Sequence, residues 1–168
     1  AWNYEGCTYY MKPFQEVFKD NLDTYWILKY QNWQTLEAEP STAKSYINER
    51  ALRFAEIILM LAEAELELGN IPASIGYINQ IRERANLNPY SGAQTSNAVK
   101  EELIHQRAVE FFVEGERFYD LRRWGILKEE LQKQDPLRAA NFSDKFFYFP
   151  IPAKELQTNE LCTPSDGW

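Results

Sequence analysis

The chain has 168 residues, 45% apolar and 26% charged, a composition that fits a single soluble globular domain. At this length roughly 70% of the unfolded surface can leave water, so neither a disulfide nor a metal is required for stability. Eighteen Lys and Arg stand against 25 Asp and Glu, a net charge of −7, which disfavours nucleic acid and anionic membranes as partners.

The opening Ala1-Trp2-Asn3-Tyr4-Glu5-Gly6-Cys7 has no initiator methionine, signal segment or lipid-attachment pattern, so the true N-terminus is expected elsewhere. Cys7 and Cys162 form no C-x-x-C pair and are expected to be inert or joined to each other. Residues 1–48 are dense in aromatics, carry Pro13 and Pro40, and show no sustained helical period; they read as an irregular segment. From Glu49 to Leu68, Ala51, Leu52, Phe54, Ala55, Ile58, Leu59, Leu61, Ala62 and Leu66 give a wide apolar surface free of Gly and Pro, which predicts a long, largely buried helix. The run Ile57 to Ala62 inside it is far short of the ~20 residues that cross a bilayer.

Gly69 is placed to end that helix in a left-handed conformation. Asn70 is then expected to cap a second helix, tolerant of Pro72 in its first turn, that reaches about Ala85. Its inward stripe is Ile71, Ile75, Ile78 and Ile81, and its wet face Asn79, Gln80, Arg82 and Glu83. So short a connection makes the two helices antiparallel neighbours. Residues 86–96 are rich in turn formers and read as an exposed loop, with Asn97 as cap of a third helix from Ala98 to Glu114. Leu103, Ile104, Ala108, Phe111 and Phe112 give that helix its core face. Gly115 then predicts a bend or cap, followed by short helices over Phe118–Trp124 and Ile126–Gln132. Residues 135–168 read as an extended tail: Phe146 to Pro152 carries two prolines at alternating positions, which excludes a helix or central strand there, and one turn follows at Ala153–Leu156.

The Leu68-Gly69-Asn70 corner followed by Tyr77 is similar to one tetratricopeptide unit, with Ser74 where that repeat usually has alanine. A single unit cannot cover its own apolar face and needs partner helices. Three further strings belong together. They are Arg53 to Ala64 with Ile78-Asn79-Gln80-Ile81-Arg82-Glu83-Arg84-Ala85; Arg107 to Trp124, with Glu114-Gly115-Glu116-Arg117-Phe118-Tyr119-Asp120-Leu121-Arg122-Arg123-Trp124 at its end; and Phe149-Pro150-Ile151-Pro152 with a final Gly167-Trp168. In order and spacing, residues 50 to 168 resemble the C-terminal part of the SusD/RagB family. Gly6 to Lys12 resembles that family's short aromatic strand. Gln106-Arg107-Ala108 departs from the family's usual Glu-Arg-Arg.

The resemblance implies an all-α fold with tetratricopeptide-like helix pairs and irregular connecting segments. It also implies a surface-exposed outer-membrane lipoprotein that captures oligosaccharides or other nutrients and closes over a SusC-type, TonB-dependent transporter. Family members are about three times longer, so the chain is expected to be a C-terminal portion, its lipid anchor and most ligand-contacting loops lying in a missing N-terminal portion of the same protein.

Read from the residues themselves, Arg107, Glu110, Glu114, Arg117, Asp120 and Arg123 recur at three- and four-residue intervals with alternating charge. They form either an anionic-ligand clamp or, as favoured here, a structural ion-pair network pinning the Gly115 bend. Glu63 and Glu67 stand one turn apart, as the carboxyl pair of a retaining glycosidase could, but lack a partner in a contrasting environment and read as solvated or ion-paired. His105 is the single histidine, and no G-x-S-x-G, G-x-G-x-x-G or Walker string is present, so no metal, cofactor or enzymatic activity is expected.

Binding is the remaining chemistry, carried by 10 Tyr, 10 Phe and 5 Trp. Trp2, Tyr4, Trp26, Trp33 and Tyr90 fall in irregular segments, with Asn32, Gln34 and Asn88 beside them, and are the candidates for stacking on sugar rings. The alternative function is a helical-repeat module that binds a protein segment.

Overall fold

The computed structural model describes residues 8–9, 12–13, 16, 29, 51–165 and 167. The irregular segment expected over 1–48 lies outside the described residues apart from a small hairpin and two single positions. In that hairpin β1 (Thr8–Tyr9) pairs antiparallel with β2 (Lys12–Pro13), Thr8 opposite Pro13 and Tyr9 opposite Lys12. Of the aromatic strand expected over 6–12, Thr8, Tyr9 and Lys12 are described, and all three are in strand. Among the described residues, everything else with regular structure is helical. The chain divides into two compact units, residues 1–100 and 101–168, each with its own buried side chains.

In the first unit, α1 spans Phe54–Glu67 and α2 spans Ile71–Arg84. Ala51, Leu52 and Arg53, predicted as helix, are not helical, and Arg53 is extended at φ −123°, ψ 153°. Ala55, Leu59, Ala62 and Leu66 of α1 and Ser74, Ile75, Ile78 and Ile81 of α2 are buried; Leu59, Ala62, Ser74 and Ile78 are wholly inaccessible. The burial of α1 is therefore one-sided, narrower than its composition suggests, and Ile71 is only half-buried.

The α1–α2 corner closes through Gly69 at φ +81°, where a residue with a Cβ would be strained. Asn70 N–H donates to Glu65 O at 2.8 Å and Gly69 N–H to Leu66 O at 3.0 Å, the paired bonds of a Schellman motif. Asn70 stands at the N-cap of α2 as expected, but its side chain makes no capping bond. Its side-chain amide donates instead to the Glu65 carboxylate at 2.7 Å, and one N–H that a cap would satisfy is missing because Pro72 occupies the first turn. Asn86, at φ 58°, ends α2 with the same bond pattern, Leu87 N–H to Arg82 O at 2.9 Å and Asn86 N–H to Glu83 O at 2.9 Å.

Helix α3 spans Ser96–Glu110, and the division between the units falls within it, after Lys100. Its cap is Thr95, whose Oγ1 accepts from Ala98 N–H at 3.4 Å, rather than Asn97. The predicted run to Glu114 stops at Glu110 because the backbone unwinds: Val113 takes φ 68°, a left-handed conformation unfavourable for a β-branched residue. Phe111 stays buried, while Phe112, expected in the core, is turned out of helical register and exposed.

In the second unit α4 (Glu116–Arg123) starts from Gly115 at φ +87°, and α5 (Leu127–Gln134) follows Gly125. Two elements were not foreseen in the tail. Helix α6 (Pro136–Ala140) is capped by Asp135, whose Oδ1 accepts from Arg138 N–H at 3.1 Å, and a 3-10 turn covers Asp144–Phe147. The extended backbone consequently begins at Tyr148, not Phe146, and α7 occupies Ala153–Thr158. Leu103, Phe111, Leu121, Leu127 and Ala139 form this unit's apolar core, with Gln106, Arg107 and Asp120 buried among its polar groups.

Candidate functional site

Of the five aromatic candidates, Trp2, Tyr4, Trp26 and Trp33 lie outside the described residues. Tyr90 is half-buried in the loop after α2. Its backbone N–H donates to Asn79 Oδ1 at 2.8 Å and its hydroxyl to Ala93 O at 3.0 Å. Its ring lies over Gly92, where any Cβ would collide with it. Arg82 Nε donates to Asn88 O at 2.8 Å. Asn79 and Arg82, the wet face of α2, therefore pin this loop instead of facing bulk water, and they fix the Tyr90 ring without a regular element beneath it.

The charged string around Gly115 resolves into two groups. Asp120, buried on α4, accepts from Arg107 Nε at 2.7 Å through one carboxylate oxygen and from Arg123 at 3.0 Å through the other. The Arg107 guanidinium also lies 4.9 Å from the Phe111 ring, and that of Arg123 4.5 Å from Trp124. With both oxygens engaged by guanidinium groups, Asp120 is held as an acceptor and ties α3 to α4 across the unwound segment. Arg117 turns elsewhere, to Glu130 on α5 at 3.3 Å and to Ile104 O at 3.3 Å. Glu130 also accepts from Lys133 Nζ at 2.8 Å, a hydrogen bond that, with the Glu130 charge, holds Lys133 above the ordinary lysine range. Glu110 and Glu114 are half-buried. The Arg117–Glu130 pair was beyond reach of helical spacing, since 13 residues separate the partners.

Two further aromatic features involve residues outside the five stacking candidates. Phe118 packs on Tyr119 and Phe149 with ring centroids 5.5 and 5.8 Å away, and Tyr119, Tyr148 and Phe149 are all exposed. The Arg122 guanidinium lies 5.6 Å from the Tyr148 ring. Phe118 also borders an open cleft of about 630 Å³ with Leu127, Leu131, Leu137, Phe142 and Phe146, and Asp135, Arg138 and Asn141 supply its polar groups. The four-residue step from Leu127 to Leu131 and the Asp-Pro start of α6 were the available signals for it. Such a wall can accept apolar surface, and the Asp135–Arg138 ion pair at 3.1 Å is part of its lining.

Glu67 lies 3.7 Å from Lys100 Nζ, both exposed, and His105 is exposed on α3. Among the described residues no three His, Cys, Asp or Glu side chains gather as a metal group, and no helix is long and apolar enough to cross a membrane. Cys162 is a half-buried free thiol.

Comparison with known proteins places these features. The family model described as "SusD family" matches residues 3–168. A crystal structure of a SusD superfamily protein from Bacteroides vulgatus superimposes on the whole chain with a TM-score of 0.91 at 64% identity, the chain covering 38% of that protein. SusD-like protein P25 of Formosa agariphila is 33% identical over 71% of the chain and 24% of its own length. Starch-binding protein SusD of Bacteroides thetaiotaomicron is 27% identical over 90% of the chain and 27% of its own length. The chain thus spans between about a quarter and two fifths of these relatives, and over its own length its fold is that of the B. vulgatus protein. On the match over residues 3–168, it belongs to the SusD family.

Proposed function

We propose that the chain is the C-terminal portion of a cell-surface protein that captures an oligosaccharide, leaves it chemically unchanged, and hands it to a SusC-type, TonB-dependent transporter of the outer membrane. The lipid anchor and most ligand-contacting loops belong to the rest of the polypeptide. The observation that carries this reading is the family match across residues 3–168, and a relative that covers 90% of the chain is named for binding starch. The physical basis is stacking: flat rings meet the C–H faces of a sugar, while nearby Asn and Gln amides take its hydroxyls. In this reading Trp2, Tyr4, Trp26, Trp33 and Tyr90 contribute rings and the Asp120 ion pairs keep the scaffold rigid.

The test uses the full-length polypeptide. Purified from membranes it should bring down a large barrel transporter, and calorimetric titration with an oligosaccharide panel should show saturable binding. Recovery of a soluble peptide motif with no barrel would favour the alternative, a helical-repeat module for protein segments. Because the main ligand loops are assigned to the remainder of the polypeptide, Trp26→Ala and Trp33→Ala should each weaken binding less than alanine substitutions in those loops. Loss of all binding in either Trp variant would move the site into this chain.

A further inference from the structure

Arg122 differs from the other guanidinium groups around α4. Asp120 is already engaged through both oxygens, by Arg107 and Arg123, and Arg117 is taken by Glu130. The helix ends at Arg123, and the positions three and four residues before Arg122 are Tyr119 and Phe118, so its own helix offers no carboxylate one turn away. Among the described residues no carboxylate pairs with it. A ring holds it instead: its guanidinium, on a half-buried residue, lies 5.6 Å from the centre of Tyr148.

Two contacts bring the rings of the tail against this turn of α4, that of Tyr148 with Arg122 and that of Phe149 with Tyr119, 6.5 Å between centroids. Tyr119, Tyr148 and Phe149 are between 53% and 66% exposed, yet each is fixed from beneath. Phe118 packs on both Tyr119 and Phe149, and Tyr148 N–H donates to Lys145 O at 3.1 Å. Pro150 then limits the backbone after Phe149. The patch therefore joins pre-oriented flat rings to one cation that lacks a counter-charge.

We infer that Arg122 and these rings contact an acidic sugar, so that the captured glycan carries uronic acid residues. The inference rests on the capture reading and narrows it. Rings take the C–H faces of a sugar, and a planar guanidinium fork, already stacked on Tyr148, matches a planar carboxylate with two parallel hydrogen bonds. A neutral sugar would leave that fork unmatched. The net charge of −7 does not oppose this, because the field of distant exposed charges fades over roughly 8 Å at physiological salt.

The test titrates the full-length protein by calorimetry with oligomers of galacturonic, glucuronic and mannuronic acid. Each is used as the free acid and as its methyl ester, which keeps the sugar and removes the charge. At least one acid should bind roughly tenfold more tightly than its ester, and Arg122→Gln should bring that acid down to the affinity of the ester. Equal affinity of every acid and its ester in the wild type, or a preference that survives Arg122→Gln, would overturn the proposal. Should Arg122→Gln lose both forms, Arg122→Lys decides, since it keeps the charge without the fork. A loss confined to the acid supports the contact, and an equal loss of both forms assigns Arg122 a structural role and overturns it. Saturable binding of neutral oligosaccharides with no preference for acids leaves the capture reading standing while this inference falls; no binding of any glycan removes both.

Discussion

The α1–α2 hairpin and the α3–α4 corner each join two helices, but with opposite chemistry. The hairpin is closed by Leu59, Ala62 and Ile78, with no exposure at all, against the small Ser74. The corner is closed by Arg107 and Asp120, whose side chains are 3% and 4% exposed. Apolar packing is non-directional and degrades by degrees as atoms are removed. A buried ion pair is directional, and removing one partner leaves the other's charge without compensation. The corner needs that direction, because the chain between its helices unwinds at Val113 and supplies no regular hydrogen-bond ladder to set the angle.

If this contrast is right, the largest effect belongs to Asp120. Asp120→Ala should cost about 3–5 kcal/mol in urea unfolding, while a double Arg107→Met, Asp120→Leu replacement should recover much of the loss. Equal losses in the single and double variants would break the comparison. Leu59→Ala should cost about 2–5 kcal/mol in the same measurement, because it leaves a cavity where α2 cannot collapse.

Ser74 sharpens the contrast in the opposite direction. Its buried Oγ has no hydrogen-bond partner among the described residues. Ser74→Ala should therefore raise stability by up to about 1 kcal/mol, with the thermal midpoint as the check.

The smallest effect is at the Glu130–Lys133 pair, where the lysine is exposed and the glutamate half-buried. A lysine whose folded pKa is raised contributes stability that is fully present below its unfolded pKa and is lost as pH rises through the folded value. Lys133→Met should therefore leave the thermal midpoint near neutral pH almost unchanged, and its small deficit should vanish in strongly alkaline solution. A deficit that grows with pH would contradict the assignment.

The hairpin was legible because its signals are local. Gly69 fixes the corner, and Ile75, Ile78 and Ile81 recur at three-residue spacing on one helix. The corner was legible only as a pattern of charges: the step from Asp120 to Arg123 can be read from helical periodicity, whereas the step from Arg107 to Asp120 spans the unwound segment. Arg117 leaves the string for Glu130 because α5 folds back to offer a carboxylate, a tertiary event that spacing cannot carry. Helix α6 was missed although Asp135-Pro136 is a sound start signal, because the prolines downstream dominated the reading of the tail. The aromatic cleft was missed because it is assembled from four separate elements, and four of the five aromatic candidates lie outside the described residues.

In the proposed reading these helices belong to a longer protein that holds a glycan without cleaving it. The most direct test incubates the full-length protein with a panel of oligosaccharides that it binds, and then measures reducing ends. Saturable binding with no release above the blank is expected; a steady rise in reducing ends, abolished by boiling the protein, would show that the bound glycan is cleaved and rule out the capture reading.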